Sequence, residues 1–223
     1  MSPAGRLPES AAQQRQFITD CFATTGIPAD VPAEAAAAIE PAVLNAWFKM
    51  PFRPAAVFIG LTERQGELQL MLTERTHTVR DHPGQVAFPG GVAEECDTDL
   101  VSTALRESEE EVGLRADQTT VVGYLAAQPI ITGYAVLPVV GFYDPDFQAQ
   151  VDPREVAGVF EVPLMFLLNN ANRLPVERER AGITLKMYEF HYDGHRIWGA
   201  TALMIGQLIA KLRGETDNPL GRK

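Results

Sequence analysis

Cysteine is scarce in this chain: Cys21 and Cys96 are two among 223 residues. Two thiols cannot build a disulfide scaffold, and neither stands at metal-ligand spacing. A reduced, cytoplasmic setting is the simplest account. Positive charge is also in deficit, with 19 Lys and Arg against 29 Asp and Glu for a net charge of −10. Nucleic acid is therefore not expected as a partner, because counterion release needs a basic footprint. A small polyanion is still admissible, since a metal ion can neutralise it locally. No run approaches the ~18 apolar residues of a membrane span. The N-terminal stretch has neither a charged start nor a long apolar core, so neither membrane nor secretory leader is expected. There is no G-x-S-x-G or other activated nucleophile, no internal repeat and no low-complexity segment.

What is present is an ordinary globular composition, 46% hydrophobic and 22% charged, long enough for one domain or one plus an appendage. Its chemistry is concentrated between Met71 and Leu114. With Glu107 at zero on a helical wheel, Glu110 and Glu111 fall within roughly 60° of it, one turn further on. Val101, Leu105 and Val112 lie on a different side, as in an amphipathic helix packed on a core. Asp97 or Thr98 is placed to cap this helix, and Gly113 suits the position just past its last turn. Like charges at this spacing repel and oppose the helix dipole. Such an arrangement calls for open solvent or a bound cation, and carboxylate oxygens suit Mg²⁺. A Glu run alone more often marks a solvated helix end.

Along the chain, Ser10 is expected to cap a helix to about Thr24, and Ala33 to Glu40 to form a short one. Pro51 and Pro54 close this region as a linker. Residues 1–53 thus read as an N-terminal helical extension that offers scaffold or a dimer contact, which leaves a homodimer open. Strands are expected at Ala55–Glu63 and Glu67–Arg75, turning through Arg64-Gln65-Gly66. Gln85–Phe88 is a further short strand, entering Pro89-Gly90-Gly91. Thr120–Ala127, Ala135–Tyr143 and Ala157–Val162 follow, with a polar loop over Asp144–Arg154 and a short helix from Pro163. Asn169–Gly182 reads as a mobile polar segment. Ile183–His191 and His195–Trp198 form a hairpin about Asp193-Gly194, with a terminal helix over Ala200–Leu212. Residues 54–215 form the main domain and 216–223 a tail. Mixed strands with a central and a terminal helix give an α/β fold, an α/β/α sandwich on a mixed sheet.

Gly91-x5-Asp97-x8-Arg106-Glu107-x2-Glu110-Glu111-x-Gly113-Leu114 closely resembles the signature of the Nudix hydrolases. That family holds Mg²⁺ or Mn²⁺ against a diphosphate linkage with a loop-helix-loop. Two positions depart from its pattern. Asp97 stands where Glu is usual, one residue further from the Arg, and Ser108 replaces an aliphatic residue. Upstream, Leu72-Thr73-Glu74-Arg75, Arg80, Gly84 and Phe88-Pro89-Gly90-Gly91 resemble the motif of the coenzyme A pyrophosphatase subgroup, which shares the longer spacer. The resemblance spans roughly Pro54 to Trp198 and implies the same sandwich fold.

It also implies metal-assisted hydrolysis of a phosphoanhydride, splitting coenzyme A into 3′,5′-ADP and 4′-phosphopantetheine. Glu107, Glu110 and Glu111 would hold the ions, with the Gly91 carbonyl as a further ligand. Arg106 would orient Glu107. Arg75 and Arg80, with Gly84, Phe88 and Gly90, would meet the substrate, since an arginine fork grips phosphate. Read without the motif, Arg75, His77, Arg80 and His82 are solvated charges. The base that activates water is Glu110 or Glu155, which closes the polar loop before a late strand. His191 and His195 are read as structural, and Tyr134, Tyr188 and Trp198 as base-stacking candidates or core. Another nucleoside diphosphate such as ADP-ribose or a dinucleotide stays open as substrate, as does a non-catalytic regulatory domain.

Overall fold

The computed structural model describes residues 7–76 and 84–215. Three short helices come first: α1 (Ala11–Phe22), α2 (Val31–Ala37) and α3 (Pro41–Trp47). Ser10 caps α1 by accepting from the Gln13 N–H, as its place before an apolar-periodic run predicts. Asp30 caps α2, so that helix starts earlier than expected, with proline in its first turn. The expected linker instead contains α3, also entered through a proline.

The sheet strands are β1 (Arg53–Arg64), β2 (Glu67–Arg75), β3 (Val86–Ala87), β4 (Gly90–Val92), β5 (Thr119–Tyr124), β6 (Gln128–Ile130), β7 (Tyr134–Tyr143) and β8 (Val156–Pro163). Pro54 lies inside β1, at the start of the strand, where a missing N–H is tolerated. Gln65 and Gly66, at φ +53° and +84°, turn the chain from β1 into β2. β1 runs parallel to β7 along its length. Its other edge pairs with β4 near its start and with β2 near its end. β8 and β3 extend β2, while β5 and β6 pair with β7.

β1 and β7 are buried on both faces, and their near-continuous apolar runs say why. On one face, α2 and the central helix α4 (Leu100–Val112) pack over Ala56, Phe58, Met71, Leu137 and Val139. On the other, α1 and the terminal helix α6 (Gly199–Arg213) cover Ile59, Leu61, Leu70 and Val140. The expected α/β/α sandwich is the observed one.

After β8 comes α5 (Leu164–Leu168), then a three-stranded sheet of β9 (Leu174–Arg180), β10 (Ile183–Tyr192) and β11 (His195–Ile197). β9 corrects the expectation of a mobile segment. It pairs with β10 through a tight turn at Ala181-Gly182, both at positive φ. Its charged side chains face water, so composition hid a strand that backbone pairing defines. The β10–β11 hairpin turns at Asp193-Gly194 as expected. Among the described residues no helix is long and apolar enough to cross a membrane.

Candidate active site

Gly90 and Gly91 sit in β4 opposite Val57 and Ala56 of β1. At Gly90, with φ +154°, a β-carbon would collide with the backbone of both residues. At Gly91 it would overlap the Glu107 carboxylate. The first glycine lets β4 approach β1, and the second lets a carboxylate from α4 lie against the strand.

α4 begins at a capping box. Asp99 accepts from the Ser102 N–H and the Ser102 hydroxyl accepts from the Asp99 N–H. Neither Asp97 nor Thr98 is the cap. The helix ends at Gly113, φ +77°, where Leu114 N–H bonds back to the Ser108 carbonyl. Ser108, the departure from the family pattern, is fully buried and donates its hydroxyl to the Ala104 carbonyl at 2.7 Å. A polar group at an apolar position is thereby satisfied within its own helix.

Arg106 is the hub. Its Nε and Nη2 donate to the two oxygens of Asp97 at 2.9 and 3.1 Å. Nη1 reaches Glu107 at 2.9 Å and Glu110 at 3.0 Å, and Nη2 also reaches the Val92 carbonyl at 3.2 Å. All five guanidinium N–H donors are used. These bonds hold the Asp97 carboxyl down at about 2 and push the Arg106 guanidinium above its ordinary value.

Glu111 has the opposite surroundings. Its side chain is 4% exposed and accepts from Arg75 Nη1 and from the Gly90 N–H, each at 3.2 Å. Burial pushes its carboxyl up to about 7 against the pull of Arg75 and Gly90, and the charges of Glu107 and Glu155 add to the rise. Burial also raises Glu107, with Arg106 opposing and Glu110 and Glu155 reinforcing. Glu110 points outward, its side chain 60% exposed.

Glu155 acts on both buried carboxylates because its loop is pinned to the end of α4. Gln150 and Asp152 N–H groups bond to the Val112 and Glu111 carbonyls at 2.9 and 3.0 Å, satisfying helix-end acceptors that would otherwise lack partners. The Thr76 N–H then binds the Glu155 carbonyl at 2.9 Å, joining this loop to the end of β2.

The structure thus brings together Arg106, Glu107, Glu110, Glu111, Gly90, Gly91, Arg75 and Glu155. Gly84, at φ +66°, returns its N–H to the Arg75 carbonyl at 3.2 Å. Phe88 is 2% exposed, its ring in the core with Val86 and Ile59. Arg80, His77 and His82 lie outside the described residues. His191 and His195 pair with Glu189 and Glu74, and His195 also stacks on Phe160 at 3.8 Å. Among the described residues no three carboxylates already form a cage; Arg106 binds Glu107 and Glu110, and Arg75 binds Glu111. Sequence reasoning missed the Asp97–Arg106 fork. The available signal was an acidic residue nine positions before a helical arginine.

A family model described as the NUDIX domain matches residues 51–183. The chain is 42% identical over 144 residues to a protein of Photorhabdus laumondii called uncharacterized Nudix hydrolase NudL, covering 65% of this chain and 77% of that one. It is 38% identical over 160 residues to a protein of the same name in Enterobacter sp., covering 72% and 83%. A solved NUDIX hydrolase from Alicyclobacillus acidocaldarius aligns with 72% of this chain and 92% of its own at 16% identity, TM-score 0.46. The family match and the two relatives agree with the glycine-carboxylate site, and the chain belongs to the Nudix hydrolases, enzymes that act on diphosphate linkages and generally need divalent cations.

Proposed function

We propose that this enzyme hydrolyses the diphosphate linkage of coenzyme A and its derivatives, releasing 3′,5′-ADP and 4′-phosphopantetheine, with Mg²⁺ or Mn²⁺ as cofactor. The domain responsible is residues 54–215 and its setting the cytoplasm. The carrying observation is that the subgroup-like motif and the acidic helix meet in one place. Arg75 and Gly90, from opposite ends of the motif, both bind Glu111.

The donor set fits a hard divalent cation. Glu111 is a desolvated carboxylate repelled by Glu107 and Glu155, and a cation between such groups would favour their charged forms. Glu107, Glu110 and Glu111 would hold it, with the Gly91 carbonyl as a further oxygen. Once bound, the ion supplies phosphoryl polarisation and a lowered water pKa.

The remaining work falls to the chain. Arg106 fixes the Glu107 and Glu110 carboxylates in orientation. Arg75, which holds Glu111 in the free protein, has a fork suited to the diphosphate. A water attacks phosphorus, the anhydride P–O bond breaks, and a carboxylate, Glu155 or Glu110, takes the water's proton. Arg80 is assigned to the 3′-phosphate.

A substrate panel with product masses tests this reading. Coenzyme A should be cleaved to the two stated products only when Mg²⁺ or Mn²⁺ is present. A higher kcat/KM for ADP-ribose or a dinucleotide would overturn the substrate assignment, and no divalent-dependent turnover of any diphosphate would overturn the enzymatic one.

A further inference from the structure

β8 is an edge strand of the main sheet. Among the described residues it pairs with β2 alone, so its far side presents backbone N–H and C=O groups with no strand beside them. Exposure along it follows: Ala157 is exposed and residues 158–161 are half-buried, whereas the central β7 is buried almost throughout. A β-carbon added at Gly158 would meet nothing within 4 Å.

A cavity of about 290 Å³ opens against this edge, lined by Val159, Phe160 and Glu161. Successive side chains of a strand point to opposite faces, so a wall shared by three consecutive residues is the edge of the strand. Phe147, Gln148 and Ala149 close the cavity from the loop that leads to Glu155, and Met71 adds an apolar floor. Arg64 and Glu161 also border it, but they neutralise each other. Arg64 Nη2 lies 2.8 Å from Glu161 Oε1, which also accepts from the Tyr143 hydroxyl at 2.7 Å. The cavity therefore suits a neutral occupant with apolar parts better than an anion or a cation.

Edge and cavity lead away from the candidate active site. Glu155 immediately precedes β8, and Val156 is paired with Arg75. At about 3.4 Å per residue, Val159 lies roughly 13 Å and Glu161 roughly 20 Å beyond Glu155. A chain attached to a phosphate at the carboxylates can run along this unpaired backbone edge into the cavity.

We infer that the β8 edge and its cavity bind the 4′-phosphopantetheine half of the substrate. The inference rests on the coenzyme A reading and deepens it. Beyond its phosphate, that half is a neutral chain with two secondary amides and a terminal thiol. At the length of an extended backbone with as many atoms, it spans roughly 15 Å. Its amides supply the donors and acceptors that the strand edge lacks, as in strand addition by a peptide. Its thiol end meets the apolar walls formed by Met71, Phe147 and Val159.

Gln148→Trp and Ala149→Trp set a large ring into the cavity from exposed positions on its rim. With Mg²⁺ present, each should raise KM for coenzyme A by about tenfold or more, the loss of one or two hydrogen bonds with their apolar contact. Titration calorimetry should show 4′-phosphopantetheine weakened to the same extent. Binding of 3′,5′-ADP, the other half, should keep its wild-type affinity, which also reports that both variants fold. Unchanged KM and unchanged 4′-phosphopantetheine binding would overturn the subsite while leaving coenzyme A as substrate. A wild type that prefers another diphosphate, yet binds 4′-phosphopantetheine and loses it in both variants, would overturn the substrate reading and uphold the subsite. No binding of 4′-phosphopantetheine by the wild type at about 10 mM would overturn the subsite outright. A wild-type dimer that both variants split at unchanged KM would overturn it too, and assign the edge to a second copy of the chain.

Discussion

Arg75 Nη1 lies 3.2 Å from Glu111 Oε1, across 36 residues of sequence. This ion pair joins the end of β2 to the last turn of α4 and partly neutralises the most buried carboxylate of the site. Removing the arginine leaves a buried acid with a single backbone donor. Arg75→Met should therefore destabilise the cation-free protein by roughly 1.5–3 kcal/mol, the range for hydrogen bonds to charged groups. Saturating Mn²⁺ should recover part of that loss by binding only the folded form. Thermal melts with and without Mn²⁺ test this, and an unchanged cation-free melting temperature would refute it.

Glu107 and Glu111 face the glycine strand, whereas Glu110 is turned outward. Glu107→Gln and Glu111→Gln keep shape but remove charge, and Glu111→Gln also turns one of two acceptor oxygens into a donor facing Arg75 or the Gly90 N–H. Each should fold and lose at least ~10² in kcat, since electrostatic stabilisation of the transition state is lost. Near-wild-type turnover by both, or full turnover of wild type in excess chelator, would refute the assignment.

The Asp97–Arg106 fork carries a pH signature. Asp97 is held down at about 2, below the ordinary ~3.9 of a free Asp. A depressed carboxyl contributes stability that is present above its unfolded value and lost as pH falls through the folded one. The stability gap between wild type and Asp97→Asn should thus be constant above about pH 5. It should close progressively as the pH falls towards 2. Denaturant unfolding at several pH values measures it. A gap that persists at the acid end would show that the bond does not depend on the Asp97 charge.

The sandwich was legible because β1 and β7 are apolar runs, α4 is periodic and α6 is apolar nearly all round, and burial enforces these patterns. The Gly90-Gly91 and Glu107–Glu111 signature was legible because close approach of strand and carboxylate admits only glycine and like charges one helical turn apart stand out in a sequence. β9 was not, since Glu177, Arg178, Glu179 and Arg180 give an exposed edge strand the composition of a loop. The Arg106 hub was half legible. Its link to Glu107 is local, but its fork to Asp97 depends on how the loop before α4 folds back. The hydrogen bond from Gln207 Nε2 to Gln128 Oε1 joins residues 79 apart, and nothing local in the chain announces it.

The proposed preference for coenzyme A assigns its 3′-phosphate to Arg80, which lies outside the described residues. If it reads the 3′-phosphate, Arg80→Ala should narrow the preference for coenzyme A over its 3′-dephospho form by about 1.5–3 kcal/mol in kcat/KM. An unchanged ratio would remove Arg80 from recognition of that group.

Glu155 is positioned by its backbone. Its loop is tied to the Val112 and Glu111 carbonyls and to Thr76, while its side chain is exposed. It is close enough for its charge to raise both Glu107 and Glu111. An exposed carboxylate on a pinned loop can take a proton from water and release it to solvent, whereas Glu111 is buried and engaged by Arg75. Glu155→Gln should therefore lower kcat by roughly 10²–10⁴-fold, the range for loss of a general base, with little change in the Mg²⁺ concentration needed for half-maximal rate. A role as metal ligand predicts the other pattern, a raised Mg²⁺ requirement with kcat recovered at saturation. Titrating Mg²⁺ against rate separates the two. A variant with wild-type rate and wild-type Mg²⁺ dependence would exclude both roles and assign the proton to Glu110, whose carboxylate is the other exposed member of the cluster.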